Sequence, residues 1–297
     1  GHGTIGATCV NVGCVPSKTM IRATETLHHA NAAGRFAGIQ AAGQVTDWGA
    51  VVAQKDALVG SLRQSKYLDL LPQYPGIDYL EGRASFTASG LHLDGAAMAA
   101  DKIIIATGSQ PNIPAIPGLA EVPYLTSTTA FEMAQLPRSM LIIGGGYIGC
   151  ELAQMLARAG VEVSIVTRSR LLPEGEPEIS DALRGYLRDE GIGVLDGLDY
   201  ESIERSEAGV DLKVRIGGEA RTLCTEGVLL SAGRRPNTDG LGLADAGIDT
   251  LNNGGIAVDG QMRTTRTGVY AAGDVTGRDQ FVYMAAHGAK IAAQNAL

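Results

Sequence analysis

Cysteine is scarce in this chain: of 297 residues only Cys9, Cys14, Cys150 and Cys224 carry a thiol. So few cysteines exclude a disulfide-stapled scaffold. They favour a reducing compartment, the cytoplasm, where a close pair is more often catalytic than structural. Positive charge is also short, with 24 Lys and Arg against 32 Asp and Glu and a net charge of −8. That balance argues against a nucleic-acid surface and against an anionic membrane. No apolar run approaches the roughly 18 residues that a transmembrane helix needs. The chain opens at Gly1-His2-Gly3-Thr4 without an initiator Met, an apolar strand or a signal-like segment, and stops at Asn295-Ala296-Leu297 inside a helical pattern. It is therefore expected to be an internal piece of a longer protein.

Glycine is what the chain has in excess: 40 of 297 residues, against an ordinary usage of about 7%. Tight turns and close approaches to a ligand are the expected uses. The length suits about two domains, and 45% hydrophobic with 19% charged residues describes a soluble globular protein.

Two of the four cysteines fall in Thr8-Cys9-Val10-Asn11-Val12-Gly13-Cys14-Val15-Pro16-Ser17-Lys18. Side chains five positions apart lie about 140° apart on a regular helix. They meet only if the first turn is irregular, which Gly13 permits. Pro16 suits the first turn of a helix running roughly from Ser17 to Asn31. Cys14 then sits at the positive helix end, where a thiolate is stabilised. A structural staple, a metal site, two unrelated core cysteines and a redox pair all remain open on spacing alone. A staple closing so short a loop contributes only about 2 kcal/mol. A zinc site wants a second ligand pair, and neither Cys150 nor Cys224 has a nearby Cys or His partner.

A dinucleotide site is written further on. Met140-Leu141-Ile142-Ile143 is a short apolar strand, Gly144-Gly145-Gly146-Tyr147-Ile148-Gly149 follows, and a helix is expected from about Cys150 to Ala159. Val161 to Val166 returns as a strand, so G-x-G-x-x-G stands in its βαβ context with its backbone facing a pyrophosphate. An NAD site wants an acidic residue at the end of that second strand. Thr167-Arg168-Ser169-Arg170 stands there instead, and two guanidiniums suit a 2′-phosphate, so NADPH is favoured. Solvated loop charges are the plain alternative for Arg168 and Arg170.

Elsewhere a helix is expected over Asp47 to Leu71 and another over Ile179 to Arg188. Strands are expected around Asp78-Tyr79-Leu80, Ala84-Ser85-Phe86, Leu91-His92-Leu93, Lys102 to Ile105, Ile192 to Leu195, Val210 to Ile216, Gly227 to Leu230 and Gly268 to Ala271. Pro111, Pro114, Pro117 and Gly118 form a stiff connector at a domain boundary. His28 and His29 lack metal-ligand spacing.

The cysteine string, Ala106-Thr107-Gly108, the glycine motif, Gly233-Arg234-Arg235-Pro236-Asn237 and Ala272-Gly273-Asp274 together resemble the flavin-dependent pyridine nucleotide-disulfide oxidoreductases, across essentially the whole chain. The resemblance implies an α/β fold with two Rossmann-like dinucleotide-binding domains, glutathione-reductase-like, the first lacking its N-terminal βαβ unit. Residues 1–123 and 251–297 would form the FAD-binding domain and 124–250 the NADPH-binding domain, with the C-terminal dimerisation domain absent. It implies a redox-active Cys9–Cys14 disulfide, with Cys14 against the flavin and Cys9 exchanging with substrate. FAD would be held by Thr8, Lys18, Ala84 (in Gly82-Arg83-Ala84), Thr107, Gly108, Gly273 and Asp274, the last on the ribityl chain. NADPH would be held by Gly144, Gly146, Tyr147, Ile148, Gly149, Glu151, Arg168, Arg170 and Gly233. Tyr147 would gate the nicotinamide pocket, and Glu151 would pair with Lys18.

Within the family, Gly3-Thr4-Ile5-Gly6, Ser65-Lys66-Tyr67, Tyr124 to Thr128 and Asp279-Gln280-Phe281-Val282-Tyr283 are similar to the mercuric reductase branch. That similarity implies Hg(II) as substrate, held by Cys9 and Cys14 and reduced to Hg(0), with Tyr67 on the substrate side and a homodimer as the assembled form. A dihydrolipoamide or glutathione-type disulfide reductase, acting on a small thiol or disulfide, is the alternative enzyme. A flavin-free NADPH- or thiol-metal-binding fragment is the alternative from another class. The piece by itself is expected to be inactive. Ala7 departs from the family, which carries a second glycine there.

Overall fold

The structure, a computed structural model, describes residues 4–297; Gly3 of the Gly3–Gly6 segment lies outside them. Two compact units emerge. Of the described residues, one comprises 4–11, 61–110 and 234–297, the other 12–60 and 111–233.

The second unit is built on the apolar strand of the glycine motif. Ser139–Ile143 is the middle member of a five-stranded parallel sheet, flanked by Gly227–Leu230 and Glu162–Val166, with Leu125–Thr126 and Gly193–Leu195 at the edges. A central parallel strand is covered on both faces, which is why it reads as a continuous apolar run. Its alternation deals side chains to two cores. Met140 and Ile142 point into one, with Leu152, Met155 and Leu156 of the helix Tyr147–Arg158 and with Met20 of the helix Cys14–Asn31. Leu141 and Ile143 point into the other, with Ile203, Leu212 and Val214 of the antiparallel sheet Leu198–Ser206, Gly209–Ile216 and Glu219–Thr225. Ile142 and Ile143 have no exposed surface, and burying each contributes about 2–3 kcal/mol. Lys55, on the helix Trp48–Arg63, is also fully buried; its Nζ pairs with Glu132 at 3.0 Å and with Asp56.

The first unit is less regular. Ala84–Thr87, Gly90–Leu93 and Ala96–Met98 form an antiparallel meander, and Ile103–Ile105 runs parallel to Val269–Ala271. Ser109–Pro111 pairs with Arg234–Pro236, and the helix Val282–Ala296 follows a single turn at Gly273–Thr276. Phe86, Ile105, Ile248, Ile256, Val269, Ala271 and Val275 fill its core.

Two sequence expectations are corrected. Asp78-Tyr79-Leu80 forms no strand: Tyr79 and Leu80 are exposed, and no neighbouring strand offers them a ladder. The helix after Asp47 ends at Arg63 and widens into a π turn at Gln64–Leu68, short of Leu71. Strands Leu198–Ser206 and Glu219–Thr225 went unread because charged residues interrupt their apolar runs; their alternate positions face the core only in part. Among the described residues no helix is long and apolar enough to cross a membrane.

Candidate active site

The cysteine segment folds as two helical pieces with a break between them. Cys9 is half-buried in the short helix Ala7–Asn11, and exposed Cys14 is the first residue of Cys14–Asn31. Gly13 (φ −121°, ψ −112°) provides the irregular turn. The boundary between the compact units falls at Asn11/Val12, so Cys9 belongs to one and Cys14 to the other.

In the first unit the turn ahead of Thr8 and Cys9 is left-handed at Gly6 (φ 108°) and at Ala7 (φ 54°). Asn11 organises it. Its Nδ2 donates to the carbonyls of Ile5 (3.0 Å) and Ala7 (2.9 Å), and its Oδ1 accepts from Arg63 Nε at 2.8 Å. A Cβ placed on Gly6 would lie 3.5 Å from the Tyr67 ring, so Tyr67 lies over this turn. It is carried there by the π turn Gln64–Leu68, an element frequent at functional sites. Asn11 and Arg63 were missed from the sequence; the Asn inside the cysteine string was the available signal.

The small-residue turns of the same unit are locked by side chains. Thr107 Oγ1 donates to the Asn237 carbonyl (2.8 Å), Asn237 Nδ2 donates to the Thr107 carbonyl (2.9 Å), and Asn237 N–H reaches the Gly108 carbonyl (2.9 Å). Gly108 is left-handed, and a Cβ there would meet only Thr8 Oγ1, at 3.9 Å, so the space beside its Cα is open to a ligand. Gly273 (φ 77°) brings the chain against Ala285. Asp274 Oδ2 accepts from Ser109 at 2.7 Å, whereas Oδ1 has no hydrogen-bond partner among the described residues. An open glycine turn and a half-engaged carboxylate fit the hydroxyl-rich chain of a flavin nucleotide. Ala84 is exposed at the start of its strand.

The second unit carries the glycine motif, and its three glycines do different work. Gly144 is left-handed (φ 117°), and a Cβ there would sit 2.2 Å from the Ser231 carbonyl; one on Gly149 would sit 2.2 Å from the Gly144 carbonyl. Both permit close packing. A Cβ on Gly146 would meet nothing within 4 Å, leaving the backbone free for a pyrophosphate. The donor set and the open middle glycine fit a dinucleotide. Tyr147 is exposed at the first helical turn, with Ile148 half-buried behind it. Gly233 (φ 90°) also faces open space.

Lys18 Nζ donates to both carboxylate oxygens of Glu151, at 2.6 and 2.7 Å. The two arginines after the second strand behave differently. Arg168 is exposed, while Arg170 is half-buried and donates from Nη2 to the carbonyls of Pro173 (3.1 Å) and Gly175 (2.5 Å). Tyr200 anchors the strand end just before them: its hydroxyl donates to the Val166 carbonyl at 3.1 Å, and burial pushes it up to about 12.

The remaining thiols lie elsewhere. Burial pushes the Cys150 thiol up to about 11, with the Glu151 charge adding to it, and its Sγ donates weakly to the Gly145 carbonyl. Cys224 is exposed, and a hydrogen bond with Asp211 raises its thiol. His28 Nδ1 lies 3.7 Å from Glu190. Among the described residues no group of three or more His, Cys, Asp and Glu could hold a metal ion.

Comparison with known proteins bears on this arrangement as a whole. Residues 3–293 match the family model described as pyridine nucleotide-disulphide oxidoreductase. The chain is 41% identical over 298 residues to a mercuric reductase of Lysinibacillus sphaericus, covering all of this chain and 54% of that protein. It is 44% identical over 303 residues to a mercuric reductase of Streptomyces lividans, covering all of this chain and 64% of that protein. The chain thus spans between half and two thirds of these relatives' length. Among solved structures, the Cu(II) complex of the HOCl-induced flavoprotein disulfide reductase RclA from Escherichia coli superposes with a TM-score of 0.85. It is 31% identical, with all of this chain and 64% of that chain covered.

Proposed function

The chain belongs to the pyridine nucleotide-disulphide oxidoreductase family, and from that premise we propose that it serves an NADPH- and FAD-dependent reductase that converts Hg(II) to Hg(0). The observation that carries the reading is the Lys18–Glu151 pair, which ties the helix beginning at Cys14 to the helix of the glycine motif within one compact unit. Thiol chemistry and nucleotide binding thereby share a framework. The identity to mercuric reductases along the whole chain supports the choice of substrate.

Cys9 and Cys14 are the proposed dithiol. Two thiolates suit a soft ion such as Hg(II), and Tyr67 is the substrate-side residue. FAD, when bound, supplies the two-electron relay between nicotinamide and thiols. Thr8, Lys18, Ala84, Thr107, Gly108, Gly273 and Asp274 hold it in this reading. Gly144, Gly146, Tyr147, Ile148, Gly149, Glu151, Arg168, Arg170 and Gly233 hold NADPH. Arg168, exposed, is the freer of the two arginines for a 2′-phosphate. The net change is NADPH plus Hg(II) giving NADP⁺, H⁺ and Hg(0).

Residues 1–123 and 251–297 are assigned to the flavin domain and 124–250 to the NADPH domain. The parallel sheet between Leu125 and Leu230 supports the second assignment. A homodimer in the cytoplasm completes the reading; the sparse cysteines support the reducing compartment.

The test is NADPH oxidation by the full-length protein, with and without Hg(II) in excess small thiol. Hg(II)-dependent oxidation that disappears in Cys9→Ala and Cys14→Ala supports the reading. Turnover of lipoamide or glutathione disulfide with no response to Hg(II) overturns it in favour of a disulfide reductase. A protein with no 450 nm flavin band overturns both.

A further inference from the structure

Ser109 has no exposed surface, yet it is a polar residue at the end of the Ala106-Thr107-Gly108 turn. Its hydroxyl is engaged on both sides. Oγ accepts from Arg234 Nε at 2.8 Å and donates to Asp274 Oδ2 at 2.7 Å. A second guanidinium nitrogen, Arg234 Nη2, donates to the Ser109 carbonyl at 2.8 Å. Arg234 itself is mostly buried, and burial pushes its guanidinium down from the usual value while the Asp274 charge opposes the shift.

The chemistry of the three groups fixes the direction of this chain. A guanidinium only donates, so the serine oxygen beside it must accept. The single hydroxyl proton is then available only to the carboxylate. Arg234 Nε is 3.9 Å from Asp274 Oδ2, beyond hydrogen-bond range, so the guanidinium reaches the carboxylate through Ser109. Oδ2 is thereby occupied, and Oδ1 is the oxygen left for a ligand. The fold brings the three together from separate segments: Ser109 and Arg234 begin two paired strands, and Asp274 lies in the turn after Val269–Ala271.

We propose that Ser109 and Arg234 are positioning residues for Asp274, orienting its carboxylate so that Oδ1 accepts from a hydroxyl of the bound flavin nucleotide. The inference rests on the flavin reading above and adds two residues to it that act through the carboxylate, Ser109 by a direct hydrogen bond and Arg234 by way of Ser109. It separates Ser109 from a residue that merely fills space. An alanine there leaves Arg234 Nε without a partner and lets the carboxylate rotate.

The test is FAD titration into full-length apoprotein, followed by quenching of flavin fluorescence, with thermal melting of each apoprotein alongside. Asp274→Asn and Ser109→Ala are each expected to weaken FAD binding by about tenfold or more, the scale of a hydrogen bond to a charged group. Ser109→Thr, which keeps the hydroxyl, is expected to stay within about threefold of the unsubstituted protein. The double variant Ser109→Ala/Asp274→Asn should bind no more weakly than Asp274→Asn alone, because the serine acts through the carboxylate. Weak binding by Asp274→Asn with unchanged binding by Ser109→Ala overturns the positioning role and leaves the flavin reading standing. Additive losses in the double variant, tracking lowered melting temperatures, also overturn it, since they mark a structural role only. Unchanged binding by Asp274→Asn, or no saturable FAD binding by the unsubstituted protein, overturns the assignment of Asp274 to flavin and the inference with it.

Discussion

Lys18 grips both carboxylate oxygens of Glu151 at 2.6 and 2.7 Å, although the two side chains are 57% and 42% exposed. An ion pair this wet contributes at most about 1 kcal/mol to stability. Its two-point geometry is therefore better explained by what the charges face than by what they hold up. Lys18→Met and Glu151→Gln are expected to change unfolding free energy by less than about 1 kcal/mol. Each is expected to slow NADPH-dependent reduction of the flavin by about tenfold, the lower end for one lost hydrogen bond to a charged group. Stopped-flow reduction at 450 nm, beside a urea melt, separates the two. A large loss of stability with unchanged reduction would make the pair structural.

Ala7 is one of four described non-glycine residues with positive φ, at 54°, in the turn that Asn11 holds ahead of Cys9. A left-handed conformation costs an L-residue with a Cβ roughly 1–2 kcal/mol, and glycine escapes that cost. Ala7 itself is exposed, so no packing is lost with the methyl. Ala7→Gly is expected to stabilise the protein by about 1 kcal/mol, after the extra entropy of an unfolded glycine is subtracted. Urea denaturation measures it. A destabilised variant would show that the turn carries no strain.

Much of the glycine-motif unit was legible in the sequence because local rules govern its fold. The strand Ser139–Ile143, the glycine turn and the helix that follows are consecutive, and each glycine has a short-range reason. The helix after Cys14 was equally plain from Pro16 and its length. What stayed hidden depends on residues distant in sequence. Ser109 meets Asp274 across 165 positions, and Asn11 meets Arg63 across 52. Neither serine nor arginine at such a site has a spacing signature. Arg170 shows the opposite failure. It stands where a phosphate ligand would, yet its Nη2 is taken by carbonyls three and five residues on. Only side-chain geometry distinguishes it from Arg168.

A cluster on the far end of the glycine-motif helix sets an acid limit on stability. Arg158 Nε and Nη2 each donate to Glu190 at 2.7 Å, and Gln154 Nε2 adds a third bond at 2.7 Å. Burial pushes the Glu190 carboxyl up, but the Arg158 hydrogen bond and charge, with Gln154, outweigh it and hold it below its ordinary 4.5. Because the folded-state value is the lower one, this contribution is fully present above the unfolded value. It is lost as pH falls through the folded value. Glu190→Gln is expected to cost about 2 kcal/mol at neutral pH, less than the loss from a fully buried pair. It should also flatten the fall in stability as pH drops below the ordinary 4.5. Unfolding free energy across that range checks both. An unchanged slope would mean that other carboxylates govern the acid limit.

The three motif glycines allow a sharper test of the nucleotide site, because two of them fail by different physics. A methyl on Gly149 would sit 2.2 Å from the Gly144 carbonyl, a backbone atom that cannot move aside. Gly149→Ala is therefore expected to destabilise the unit by about 1–3 kcal/mol, the range for overpacking, and to weaken NADPH binding as a consequence. A methyl on Gly146 would meet nothing within 4 Å, and the residue has ordinary dihedrals (φ −78°, ψ −177°). Gly146→Ala should therefore leave stability unchanged within about 0.5 kcal/mol. Its methyl should occupy the space through which a pyrophosphate approaches the helix end, and NADPH binding should fall by more than tenfold. Calorimetric titration with NADPH, paired with thermal melts, reads both effects. If Gly146→Ala binds NADPH normally, the open face above this residue is not where the dinucleotide lies.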